Sequence, residues 1–426
     1  MRKRLKLSAV LLSILALGVS VNLYSAAGPA KSPAAKQLAD LSAKPAAGDA
    51  AAAARFAWYL FLEATKPTAD GSLTFETWTE QCQLNPAMFG CPSASSLAAA
   101  AKRAGKGRVR TLHRSFLRNG LLGAAKAVQP GDECSPMSTQ PVGGYPPPAN
   151  VTKTATFCEE VFVNVPEKTF VKNNGLITLS GQKTYGSAHG GAITFPWNAV
   201  EVKADWVPVS SFNNPTFQCP DPTHSLYTET INGTCYALVG LHISSKALPD
   251  WVWSTFEPNS KVTNPNRCDS NLYDTCFDPW GTTSSQPYGK GQAAQQSQQL
   301  QQAMAAAHLN PAFNNYFLTG AQTQFVNAAK QPIPLGSSFV EFNAGVSPHQ
   351  ASCITCHKYA YFDGKNQSPE NNFGGPPNGW AAVGYACNKP NPSANCVPVT
   401  PGSTSQDFSW MLGLMPYGGT SAKPKR

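Results

Sequence analysis

The stretch ASCITCHKYA, residues 351–360, sets Cys353, Cys356 and His357 in C-x-x-C-H spacing. Two thiols so spaced reach both vinyl groups of one porphyrin as thioethers, and the adjoining imidazole falls under the iron. That reading implies covalent haem c and iron as cofactors. Three rivals use the same residues. Zinc needs a fourth ligand and usually a second close pair, and the nearest cysteines, Cys387 and Cys396, are nine apart, poor knuckle spacing. A dithiol switch expects C-x-x-C opening a helix after a strand, whereas EFNAGVSPHQAS, which precedes Cys353, is polar and loop-like. The third is chance, in a chain with 12 cysteines. Haem is favoured over all three.

The opposite iron position has several candidates. A methionine well downstream is a common second axial ligand, which nominates Met415, followed by Pro416, and Met411. Phe408, Met411, Leu412 and Met415 also share helical spacing, which suits core packing equally well. Failing a methionine, His242, His349 or His189 closes the site. An open position leaves room for peroxide or another small ligand.

The N-terminus supplies the compartment that such chemistry needs. MRKRLK is followed by about 15 apolar residues and then small residues to Gly28, the pattern of a secretory signal peptide over 1–27 and shorter than a membrane anchor. The expected location is periplasmic or secreted, with no stable membrane span after cleavage. The remaining ten cysteines form five sequential neighbours, 82/91, 134/158, 219/235, 268/276 and 387/396, as expected of loop staples in an oxidising compartment. The formal charge is +9, and Arg2, Lys3, Arg4 and Lys6 carry four of it, leaving about +5 on the mature chain. Basic residues are scattered except near 102–118, which argues against nucleic acid as a partner.

These residues need a scaffold. Residues 28–54, rich in Ala, Lys, Pro and Ser, read as a flexible lead-in. RFAWYLFLEATKP is an aromatic helix stopped at Pro67. A basic, Ala-rich helical stretch covers about 97–127, with His113 as an ordinary surface residue, and 131–150 is a Pro/Gly-rich linker or long loop. Then FVNV, GLITLS, AITFPW, VEVKADWVPV, CYALVGLHIS and WVWSTFE read as strands. Residues 288–309 form an Ala/Gln helix that ends near His308. SQDFSWMLGLMP reads as a last helix with Ser405 as N-cap. The expected class is α+β: a β-rich N-terminal region with flanking helices, 55–330, and a short, mainly loop and helical C-terminal haem c segment, 331–426, packed against it.

Other constellations carry less. AHGGAITF has an esterase-like glycine run, but the chain lacks a G-x-S-x-G elbow, so a turn is the better account. The aromatics of LPDWVWSTFE suit a sheet core or a cleft wall. Asp205 and Glu257 are the nearest approach to a carboxylate pair and receive no acid or base role.

The blocks FAWYLFLEATKP, FETWTE, EVKADW, GLHISSKALPDWVWSTFE, SCITCHKYA and DFSWML together resemble a group of uncharacterised, exported proteobacterial c-type cytochrome family proteins with one haem motif near the C-terminus. The resemblance runs through most of 55–415 as scattered blocks. It implies haem attachment by Cys353 and Cys356 with His357 on the iron. It also implies that Lys203, Trp206, His242, Trp251, Trp253 and Glu257 surround the haem or a neighbouring pocket. The family's last block tends to read DFSFLL without an obligatory methionine, which weakens Met415 and strengthens His242. The expected function is haem binding and one-electron transfer with an unknown periplasmic redox partner. The alternative is a haem-dependent oxidoreductase, peroxidase- or oxidase-like, with an open sixth iron position.

Overall fold

Strict alternation in VEVKADWVP builds the centre of an antiparallel sheet, since successive side chains of a strand point to opposite faces. The computed structural model describes residues 40–84, 113–114, 134–137, 146–148, 150–213, 215, 217–259, 263–264, 268–269, 276–289, 295–329, 331, 333–343, 351–358, 360–362, 385–387, 396–398 and 404–413. The main strands are β1 (Thr156–Val163), β2 (Val200–Pro208), β3 (Thr228–Ile231), β4 (Thr234–Ser245), β5 (Val252–Pro258) and β6 (Tyr316–Gln322). They order as β1-β2-β4-β5-β6, with β3 beside β4 and three two-residue strands beside β1. β3 and β4 form a hairpin through Asn232 and Gly233, both at positive φ, as a two-residue turn that follows sheet twist requires. With the helices below, the class is α+β.

On one face, Val202, Ala204 and Trp206 of β2 and Leu241 and Ile243 of β4 lie in the largest core. Helix α1 (Ala50–Thr65) covers this face, its N-terminus capped by the Asp49 carboxylate, which accepts from Ala52 N–H at 2.9 Å. Phe61 sits 4.5 Å and Trp58 4.9 Å, centroid to centroid, from Phe256 of β5. Helix α4 (Gln298–Ala306) adds Leu300, Ala303 and Met304 to the same core. Helices α2 (Val165–Asn173) and α3 (Leu179–Ala188) follow β1 and border a second core, which also receives Ile354, Phe408, Met411 and Leu412 from the C-terminal segment.

Several expectations change. GLITLS is not a strand: Thr178 accepts from Gly181 N–H at 3.1 Å and starts α3 at Leu179, after a turn at Gly175. A local cap outweighed β-branched composition. FVNV ends its strand at Val163 because Asn164 caps α2, and AITFPW is loop with one bridge at Ala192. Within the expected flexible lead-in, the described residues from 40 onward are structured: Leu41 is buried and α1 begins at Ala50, while 28–39 lie outside the described residues. In the expected helix over 97–127, only His113 and Arg114 are described, and they are extended along β1. The last helix starts only at Trp410, with Trp410–Gly413 described, because Asp407 and Phe408 adopt positive φ of 52° and 69°; Ser405 pairs with Tyr361 rather than capping it.

Disulfides join Cys134–Cys158, Cys219–Cys235 and Cys268–Cys276, as sequential pairing expects. The pairing of Cys82 with Cys91 and of Cys387 with Cys396 lies outside the described side chains. Among the described residues the free cysteines are Cys353 and Cys356, and no helix is long and apolar enough to cross a membrane.

Candidate functional site

Cys353–Lys358 forms helix α5, so Cys353 shares one helix face with Cys356 at i+3 and His357 at i+4. All three are partly exposed, whereas Ile354 and Thr355 between them are fully buried. Gln322, at the end of β6, clamps the helix: its amide oxygen accepts from Ile354 N–H at 3.0 Å and its amide nitrogen donates to Ser352 Oγ at 3.0 Å. Cys353 Sγ donates to the Leu335 carbonyl at 3.4 Å. Burial raises the Cys353 thiol and pushes Cys356 up to about 12, with the Glu341 carboxylate adding to both. A reactive dithiol requires the opposite, a depressed thiol.

The His357 ring is held from two sides. Its Nδ1 lies 2.8 Å from the Phe408 carbonyl oxygen, and burial lowers its pKa to about 3, so the ring is neutral and Nδ1 donates. An N–H donated to a backbone carbonyl fixes the tautomer and leaves Nε2 as the basic nitrogen, as for a metal-bound histidine. The Trp253 ring packs 4.3 Å away.

Phe408 is aimed by a buried polar network. The Asp407 carboxylate accepts from Phe195 N–H at 2.7 Å and from Lys246 Nζ at 2.6 Å. Ser409 Oγ donates to Glu201, and Gln406 donates to Gln182, whose own amide donates to the Leu412 carbonyl. Positive φ at two successive non-glycine residues is backbone strain that such surroundings must hold in place.

The sheet face near α5 is polar. On β1, β2, β4 and β5 it carries Glu159, Lys203, Asp205, His242, Thr255 and Glu257, and all but Lys203 and His242 are almost fully buried. Lys203 Nζ pairs with Glu159 at 2.6 Å; burial pulls the lysine down, but Glu159 and Asp205 outweigh it and its pKa rises. His242 Nε2 lies 3.0 Å from Asp205 Oδ2 and its Nδ1 lies 3.1 Å from Thr255 Oγ1. Burial lowers the His242 pKa, and burial raises that of Asp205. Gly240 makes this possible, because a Cβ there would sit 2.7 Å from Asp205 Oδ2. Glu257 accepts from Ser338 N–H and Oγ, both at 2.7 Å. Glu341, whose pKa burial raises, exerts its charge on His242, Lys203 and both motif thiols, which places them in one electrostatic neighbourhood.

The structure therefore brings Lys203, His242, Glu257 and Trp253 to the motif side of the sheet. Trp206 is on the other face, where its indole donates to Glu160 at 2.7 Å, and so does not flank the motif. Trp251 packs with Ile354 and Phe408 in the second core. Met411 is 2% exposed in that core. His242 Nδ1 is engaged by Thr255, whereas Nε2 lies near Asp205 Oδ2 without a hydrogen bond. Met415 and His349 lie outside the described residues; His189 is exposed and stacked on Tyr185. Sequence reasoning missed Phe408, Gln322, Asp407 and Glu341, since backbone acceptors and distant caps leave no periodic signal. Among the described residues no group of three or more His, Cys, Asp or Glu is arranged to hold a metal ion.

Two free, partly exposed thiols one turn apart, followed by an imidazole whose Nδ1 is already satisfied, fit a covalently attached haem. No family model matches this chain, and no curated protein or solved structure matches it.

Proposed function

We propose that this chain is an exported monohaem c-type cytochrome of the kind its sequence blocks resemble, acting in one-electron transfer. Cys353 and Cys356 hold the haem and His357 Nε2 ligates iron. The observation that carries the reading is the His357 Nδ1 contact with the Phe408 carbonyl, which prepares Nε2 alone for a metal. Bound there, the group supplies a ferrous/ferric couple. The chain's own residues do the rest: Gln322 fixes the attachment helix, the Asp407 network fixes the imidazole, and Ile354 with Phe408 keeps water from the ligand's rear.

A second reading, a haem-dependent oxidoreductase with an open sixth position, has its own support. Of the nominated ligands that are described, Met411 is committed to core packing, and His242 is held by Thr255 through Nδ1 with Nε2 turned toward Asp205. Beside them lies a wall of titratable groups suited to moving protons.

The test is expression with periplasmic haem-attachment machinery, followed by denaturation. The unmodified chain should keep its haem absorbance through denaturant and acid extraction, and the Cys353→Ala, Cys356→Ala double variant should lose all of it. Extraction of the pigment from the unmodified chain would refute covalent attachment. The native ferric spectrum then separates a strong-field sixth ligand, for electron transfer, from an open position, for catalysis.

A further inference from the structure

An unbroken series of ring contacts runs from the motif histidine to the surface of the α2–α3 pair. From His357 the series passes to Trp253 at 4.3 Å and on to Trp251, stacked at 6.0 Å and 28°. Trp251 meets Phe195 edge-on at 5.8 Å, and Phe195 lies 5.3 Å from Phe170. Phe170 is 5.9 Å from Tyr185, which stacks on exposed His189 at 3.8 Å and 11°. No interval exceeds the 6.0 Å between the two tryptophans. Trp251 and Phe195 are 1% and 2% exposed, so packed π systems rather than water fill the middle of the path.

The outer end has the character of a contact surface. Tyr185 borders an open depression of about 420 Å³, with Thr178, Thr184 and Ala188 among its walls. Among the described residues the large apolar side chains left exposed are Val165 at 64% on α2, Ile177 at 37% between α2 and α3, and Trp197 at 51% beside Lys44 and Lys246. Over 165–191 the basic residues are Lys168, Lys172 and Lys183, and the acid, Glu167, is buried.

We propose that this ring series is the electron's route between the iron site at His357 and the surface at Tyr185 and His189, and that an acidic one-electron partner protein docks there. The inference rests on the haem reading. Tunnelling falls off less steeply through packed covalent and π-bonded matter than across gaps, so the series favours this exit over others of equal length. The lysines of the helix pair, with Val165 and Ile177 exposed beside them, suit a partner with a negative rim and an apolar centre.

The route is tested on the haem-loaded full chain singly labelled with a ruthenium polypyridyl complex at Nε2 of His189, whose Nδ1 is engaged by the Tyr185 carbonyl at 2.7 Å. After flash oxidation of the label, one electron leaves ferrous iron, which becomes ferric, and reduces ruthenium(III) to ruthenium(II); no bond breaks and no proton is needed. The expected rate falls at least tenfold in both Phe195→Leu and Phe170→Leu, with the haem spectrum unchanged. Rates within twofold of the parent in both variants overturn the route. A haem-free readout is the labelled Cys353→Ala, Cys356→Ala chain, in which ruthenium(III) takes its electron from an indole: a transient tryptophan radical is expected, absent once Phe195→Leu is added, and persistence of the radical in that variant overturns the route. Docking is tested with hexacyanoferrate(III) as an anionic oxidant: Lys172→Glu with Lys183→Glu should slow oxidation at least fivefold, and an unchanged rate overturns the docking site. A chain that carries no haem overturns the haem reading and the route with it; a haem-loaded chain with unaltered rates overturns the route alone.

Discussion

The two faces of one sheet have been built for different ends. The face under α1 is filled by Trp58, Phe61, Phe256 and their neighbours, residues whose burial stabilises the fold through area and ring packing. The face toward α5 buries Glu159, Asp205 and Glu257 beside Lys203 and His242. An antiparallel sheet normally turns its polar face to water, and enclosing charge is unfavourable unless each group is paired. Here Glu159 and Glu257 each face a partner, while Asp205 lies 3.0 Å from the His242 ring without accepting a hydrogen bond, and apolar side chains in those positions would stabilise the fold more simply. Polar groups retained against that tendency gather at sites with chemistry to do. The face that stabilises and the face to which the proposed function assigns chemistry are thus separated by the thickness of one strand layer.

That contrast makes predictions of graded size. The largest lies on the apolar face: Phe256→Ala removes a fully buried ring in contact with Trp58 and Phe61, and should cost about 3–5 kcal/mol in urea unfolding. A loss under about 1 kcal/mol would mean that this face is not the stabilising one. On the polar face, Lys203→Met leaves Glu159 buried and unpaired. Because the lysine side chain is itself 26% exposed, the expected loss is smaller, about 2–3 kcal/mol. The double variant Glu159→Leu, Lys203→Met should recover most of it, since a fully apolar pair removes the stranded charge. No recovery would indicate that the pair is there for stability and not for function.

The smallest effect sharpens the comparison from the apolar side, where α1 also meets an acid. Asp278, 1% exposed, accepts from the Trp58 indole at 2.7 Å, and burial pushes its carboxyl up to about 6 from the ordinary 3.8. The folded chain therefore holds this proton more tightly than the unfolded chain does. The stability so gained, about 3 kcal/mol in full, is complete only below about pH 3.8 and is lost as pH rises through 6, about 2 kcal/mol of it between pH 4 and 6. Urea midpoints measured from pH 4 to 7.5 should fall more steeply in the parent than in Asp278→Asn; parallel profiles would remove Asp278 as the cause.

What could be read in the sequence follows the same division. β2, β4 and β5 were legible because period-two alternation is a property of the strand itself, and the spacing of Cys353, Cys356 and His357 was legible because it is complete within five residues. α3 was not, since the Thr178 cap and the turn at Gly175 decide it against the composition of GLITLS. The acceptor for His357 was hidden because it is a main-chain oxygen 51 positions away, aimed by two residues at positive φ whose identity does not announce that conformation. Nor does sequence say that alternate residues of β2 face a covered surface rather than solvent.

Intact mass spectrometry of the purified mature chain under denaturing conditions tests the central claim most directly. The expected species is the polypeptide plus one haem, reduced to the bare polypeptide by the Cys353→Ala, Cys356→Ala change. A bare polypeptide mass for the unmodified chain, made where the attachment machinery is active, would contradict the account.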